Sequence, residues 1–191
     1  MRDVRHGFPP SVWLRVVGGA TLILVLLLFA GPPSHASPVS KRFDRQGIVF
    51  EYPDEWFATT RPLSNAVNPA YRFAVSSVPV RRTRADIGPC LPGIARQIPR
   101  DGILAFLREA LGADRTRSLP RMPRRPASFR LPTRSGSYLC GFRHGHTRWI
   151  AFKDAGRAFY LGVYVGPEAP TAVRRALKRL LDGMEVRAGT T

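Results

Sequence analysis

The sequence predicts an α+β fold, an antiparallel sheet covered by helices on both faces, and three observations lead there. Residues 137–166, SYLCGFRHGHTRWIAFKDAGRAFYLGVYVG, read as three antiparallel strands joined by two short turns. Both faces of that meander are too apolar for water. One carries Tyr138, Cys140, Phe142, Trp149, Phe159, Leu161, Val163 and Val165; the other carries Leu139, Ile150, Phe152, Tyr160 and Tyr164 beside Arg143 and Arg148. Two segments, 101–112 and 170–184, repeat apolar residues at helical spacing and supply the two covers.

In chain order, residues 1–36 read as an export leader. Arg2, Arg5 and Arg15 precede an unbroken apolar run over 16–30, and Ser34, His35 and Ala36 complete a small-residue cleavage pattern. Val12, Trp13 and Leu14 extend the apolar stretch to 12–30, close to the roughly 20 residues that span a bilayer, so an N-terminal anchor is the alternative. No Cys follows to take a lipid. Residues 37–46 are polar and basic and read as a flexible lead-in; without repeats or a second core, one domain is expected over 47–188.

Ile48, Phe50 and Tyr52 alternate with Val49 and Glu51, a strand that Pro53 ends before a turn into Trp56. A second strand is expected over 71–78, with Tyr71, Phe73 and Val75 on one face and Pro79 at its end. Residues 79–100, with four Pro and Cys90, read as irregular. Asp101 can then cap a helix of Ile103, Leu104, Phe106, Leu107, Ala110 and Leu111 that Gly112 stops. Residues 115–134 hold seven Arg, four Pro and no carboxylate, and read as an exposed loop or a strand pair with a long basic connection. In the meander, Gly145 and His146 suit a two-residue turn and Asp154, Ala155 and Gly156 a three-residue one. That register sets Trp149 opposite Leu161 and Ala151 opposite Phe159. Pro170 opens the last helix, whose apolar face is Val173, Ala176, Leu177, Leu180, Leu181 and Met184.

The formal charge is +17, from 30 Lys and Arg against 13 Asp and Glu. Three Arg and one Asp of these precede Ser37, so the remainder carries +15. On an exported protein that excess favours anionic membrane or acidic cell-wall polymer. The residues expected to make such a surface are Arg115, Arg117, Arg121, Arg124, Arg125, Arg130 and Arg134 in the basic loop and Arg174, Arg175, Lys178 and Arg179 on the last helix. Nucleic acid is disfavoured by compartment, although Phe152, Tyr160 and Tyr164 beside Arg143 and Arg148 could form a stacking platform. Cys90 and Cys140 are the only cysteines, and an isolated pair in an oxidising compartment reads as a disulfide. Closing that loop would contribute about 4 kcal/mol by chain entropy.

Catalytic patterns are sparse. There is no GxSxG elbow and no Gly-rich phosphate loop, and the one local acid cluster, Glu51, Asp54 and Glu55, sits at a strand end and turn. His144 and His146 are the weak metal candidates; the Gly145 turn between them and the missing third ligand speak against a site. No cofactor is expected.

Gly47, Phe50, Tyr52, Pro53 and Trp56 at the front, then 160–166 running into 170–184, resemble the PsbP-like family, across nearly the whole chain after the leader. That resemblance implies an antiparallel sheet sandwiched between helices and a non-catalytic binding or assembly role, and it transfers no functional residue. The Cys90 and Cys140 pair and the Arg and Pro-rich stretch depart from the family pattern. The resulting expectation is an exported or envelope-associated binding or scaffold module, not an enzyme, with a basic surface. The alternative is a small-ligand or metal-dependent envelope enzyme using His144 and His146.

Overall fold

The front of the chain folds as a hairpin. β1 (Ser40–Arg45) pairs antiparallel with β2 (Ile48–Pro53), and the two residues between them, Gln46 and Gly47, both take positive φ (53° and 73°). A two-residue turn of that kind matches the twist of the strands it joins. β1 therefore occupies most of the stretch read as a flexible lead-in. The computed structural model describes residues 40–133, 141–142 and 144–189. The leader, the possible anchor over 12–30, Arg134, Cys140, Arg143 and the first strand expected in the meander lie outside them, apart from Gly141 and Phe142. Among the described residues no helix is long and apolar enough to cross a membrane.

Two antiparallel sheets follow. β1, β2 and the short β8 (Glu185–Val186) form one, in the order β1-β2-β8. The other has five strands: β3 (Phe57–Thr59), β4 (Ala70–Ser76), β5 (Ile103–Glu109), β7 (Arg157–Val165) and β6 (His146–Asp154), in the order β3-β4-β5-β7-β6. The helices are α1 (Pro92–Ala95), α2 (Gly112–Ser118) and α3 (Thr171–Gly183).

This overturns the expected sheet with helices on both faces, and with it the PsbP-like sandwich. The fold is mostly β. The segment read as the first covering helix is β5, the central strand, with every residue from Ile103 to Glu109 buried. One face of the large sheet, built from Phe73, Val75, Ile103, Ala105, Leu107, Phe159, Leu161 and Val163, packs against α3 and against Phe43, Ile48 and Phe50 of the small sheet. The opposite face, Ala74, Leu104, Phe106 and Tyr164, is covered by chain of little regular structure that supplies Leu63, Leu91, Ile94 and Ile98. Farther along that face, Ala110 and Ala158 meet Met122.

The hairpin between β6 and β7 differs from expectation by one residue. Asp154 pairs with Arg157, leaving a two-residue loop of Ala155 and Gly156, both at positive φ. Trp149 then faces Gly162, Ala151 faces Tyr160 and Phe152 faces Phe159. A one-residue slip moves a strand's side chains to the other face, so Phe152 is in the core beside Phe159 and Trp149 lies on the far side near Phe106. His146 is likewise the first residue of β6, paired with Val165, and not a turn residue. In β4, a register shift between Tyr71 and Phe73 separates their faces: Phe73 joins the core under α3 and Tyr71 packs with Phe106.

Candidate anion-binding surface

The basic segment after α2 is bound to the fold rather than looping free. β6 is an edge strand, and its backbone is met by Pro123 to Arg125: Lys153 donates its N–H to Pro123 at 2.8 Å and Arg125 donates to Lys153 at 2.9 Å. Covering an edge blocks strand addition there. Farther along the segment, Phe129 is buried against Phe152, with ring centroids 5.6 Å apart.

The same segment ties to the end of α3. The Arg125 guanidinium donates to the carbonyls of Leu181 (3.0 Å) and Asp182 (3.1 Å), supplying a cation where the helix leaves carbonyls unpaired. The Asp182 carboxylate accepts the Phe129 N–H at 2.7 Å, the Ser128 hydroxyl at 3.1 Å and the Lys178 ammonium at 2.5 Å. Its pKa is lowered: burial pushes it up, but the bonds from Lys178, Phe129 and Ser128 outweigh that.

These contacts bring cations from three parts of the sequence to one side. Arg121, Arg124 and Arg130 come from the stapled segment, Arg148 from β6, where it donates to the Arg130 carbonyl, and Arg175, Lys178 and Arg179 from α3. The two nearby acids are occupied, Asp154 by Arg125 and Asp182 by Lys178. A groove of about 420 Å³ opens between Arg124, Arg125, Lys153, Asp154, Ala155 and Gly156.

Not every expected cation is free to meet a ligand. Arg125 is half-buried in its staple, and Arg174 donates to the carbonyls of Ala169 and Gly166, fixing the turn before α3. Arg117 pairs with Asp114, and Arg115 donates to the Gly156 carbonyl at 3.0 Å while remaining exposed. Arg121, Arg124, Arg130, Arg175 and Arg179 are exposed and form no ion pair among the described residues. Sequence reasoning could not separate the staples from the free cations, because both are Arg in a Pro-rich or helical setting.

A second charged cluster is internal. Arg157 donates two bonds to Glu109 (2.9 and 2.6 Å) and others to the carbonyls of Gln46 and Arg187; Arg72, the extra residue at the β4 register shift, also reaches Glu109. The cluster joins β4, β5 and β7 to one end of the small sheet, where the turn at Gln46 and Gly47 meets Arg187. Burial pushes the Glu109 carboxyl up, but the bonds and charges of Arg157 and Arg72 prevail and hold it below the usual range. Both carboxylate oxygens are bonded, so the cluster serves as a joint.

His144 is exposed, and His146 is half-buried with no hydrogen-bond partner for its Nδ1 among the described residues. Among the described residues no group of three or more His, Cys, Asp or Glu could hold a metal ion. Cys90 is not a free thiol; Cys140 lies outside the described residues. No family model, no curated protein and no solved structure matches this chain, so the PsbP-like resemblance rests on the residues quoted for it alone.

Proposed function

We propose that the protein is a non-catalytic exported or envelope-associated module that holds to an anionic surface, lipid headgroups or an acidic wall polymer, through the basic side formed by residues 121–130, Arg148 and α3. One observation carries the reading: the carboxylates on that side are consumed by Arg125 and Lys178, while Arg121, Arg124, Arg130, Arg175 and Arg179 keep no counter-ion among the described residues. A surface field of this kind attracts polyanions over about one Debye length and weakens with salt. A Cys90 to Cys140 disulfide formed after export belongs to the same proposal.

The test is co-sedimentation of the exported protein with vesicles of phosphatidylglycerol and phosphatidylcholine, against phosphatidylcholine alone. Cations near an anionic bilayer contribute about 1 kcal/mol each. Changing Arg124, Arg130, Arg175 and Arg179 to Gln should therefore weaken binding by up to roughly a thousandfold at low salt. Equal binding of the wild type to anionic and neutral vesicles refutes a lipid surface, and if a wall teichoic or uronic polymer is also ignored, the electrostatic role falls.

A further inference from the structure

Four large apolar side chains stand exposed among the described residues: Phe57, Val67, Ile87 and Leu111. Phe57 belongs to β3. The other three come from three separate loops, and polar side chains gather those loops. Asn65 accepts the Gly88 N–H at 2.8 Å and the Ser64 hydroxyl donates to the Gly88 carbonyl at 2.7 Å, fixing the turn that carries Ile87 to the loop that carries Val67. Asn68, next to Val67, accepts the Leu111 N–H at 3.1 Å and donates to Asp114 at 2.6 Å. Three aliphatic tips thus project where β4 begins and β5 ends, with Val67 84 % exposed, Ile87 60 % and Leu111 37 %.

Cations flank them. Arg82 and Arg84 precede Ile87 and Arg115 and Arg117 follow Leu111, all exposed. The acids nearby are engaged: Asp86 accepts the N–H groups of Thr83, Gly93 and Ile94, and Asp114 is held by Asn68 and Arg117. The end is therefore apolar at its tips and positive around them.

We propose that this loop end is a membrane-contact face, with Val67, Ile87 and Leu111 entering the boundary between headgroups and acyl chains of an anionic bilayer while Arg82, Arg84 and Arg115 meet its phosphates and Arg117 neutralises Asp114. The inference rests on the anionic-surface reading above and chooses lipid over wall polymer. Aliphatic side chains gain from an acyl environment and nothing from a hydrated polyanion. Separate tips spaced by Asn and Ser suit a fluid interior, whereas a protein partner is met by a contiguous packed patch.

The experiment compares the exported wild type with a Val67→Ser, Ile87→Ser, Leu111→Ser variant on the same anionic vesicles, at low and high salt, and adds a Val67→Trp variant with acyl-brominated lipid. All three side chains are exposed, so folding is not at issue. The wild type should keep part of its binding at high salt, and the triple variant should lose it, with at least a tenfold weaker partition at low salt, on the order of one CH₂-rich side chain's transfer. The Val67→Trp chain should show blue-shifted emission quenched by bromine, beyond that of the wild type. If the wild type ignores anionic vesicles, this proposal fails, and the broader reading is left with the wall polymer alone. If the wild type binds but the triple variant binds equally, and the emission of the Val67→Trp chain does not change on adding vesicles, the insertion is refuted and the electrostatic reading stands. Loss of self-association in the triple variant, with vesicle binding intact, would instead assign the face to a second copy of the chain and overturn the proposal.

Discussion

Replacing Glu109 by Gln tests whether the two sheets are held by the internal ion cluster. Glu109 is 4 % exposed and accepts two bonds from Arg157, itself 4 % exposed, and another from Arg72. The amide keeps one acceptor but turns an NH₂ towards a guanidinium and removes the only carboxylate bonded to Arg157 among the described residues. Breaking a buried pair costs about 3–5 kcal/mol. Arg157 retains the carbonyls of Gln46 and Arg187, which keeps the expected loss near the lower figure, about 3 kcal/mol. At roughly 2–4 °C per kcal/mol for a domain of this size, the Tm should fall by about 6–12 °C at pH 7. The pH dependence has a defined sign. Because the folded-state pKa of Glu109 is depressed, its contribution is complete above the unfolded carboxylate value and is lost as pH falls through the lower folded value. The difference between wild type and variant should then close in acid. Differential scanning calorimetry or urea titration at pH 7 and at a series of falling pH values measures both effects, with Glu51→Gln on an exposed strand position as control. A Tm within about 2 °C of wild type at pH 7, or a gap that does not shrink in acid, refutes the assignment of the cluster as a charged joint.

Two further outcomes follow from named contacts. Asp182→Asn keeps an oxygen for the Phe129 N–H but weakens the bonds from Lys178 and Ser128, so urea unfolding should show a loss of about 1 kcal/mol at pH 7; since the Asp182 pKa is also depressed, that difference should vanish as pH falls through its folded value, and faster amide exchange at Phe129 should accompany it at neutral pH. Gly162→Ala would drive a methyl into Phe106 Cζ and place it 2.8 Å from Trp149 Cζ3, so it should cost about 1–3 kcal/mol and alter the near-ultraviolet dichroism of Trp149, whereas Gly183→Ala, with nothing within 4 Å of the added carbon, should not.

How far the sequence could be read depended on burial. β2 and α3 were legible because each alternates or repeats apolar residues, β4 because Tyr71, Phe73 and Val75 recur at every second position, and β6 and β7, although β7 is covered on both faces, because turn residues bound them. β5 was not. It lies between β4 and β7 with both faces covered, so Ile103 to Leu107 is a continuous apolar run, and such a run fits helical spacing as readily as a strand. The distinguishing feature was length: seven residues is ordinary for a strand and short for a core helix. With β5 miscast as a cover, the true covers of that face went unseen, although Leu91, Ile94 and Ile98 stand in the Pro-rich stretch that supplies them. The register error had a different origin. Asp154, Ala155 and Gly156 fit a three-residue loop by composition, but Ala155 adopts positive φ (47°), an uncommon state for a residue with a side chain, and the loop shortens to two.

The candidate surface was legible as composition and illegible as geometry, and the reason lies in where the acids go. Arg115 to Lys153 contains no carboxylate, so the excess of cations there was plain. What the sequence could not say is that Asp182, from the far end of α3, and Asp154, from the β6 hairpin, would each be spent on holding the basic segment down. Each acid fixes one part of the segment and by doing so leaves the neighbouring cations without a counter-ion among the described residues. Stapling and exposure are therefore two effects of the same contacts. If Arg125 were changed to Met, the segment would loosen from Leu181 and Asp182 while Arg124 and Arg130 remained, so affinity for a polyanion should fall through disorder of the surface although only one charge is lost. A loss much larger than the fivefold or so expected of one cation near an anionic bilayer, with increased amide exchange across 123–130, would show that positioning and charge act together; a loss of about fivefold or less with unchanged exchange would show that the charges act independently of the staple.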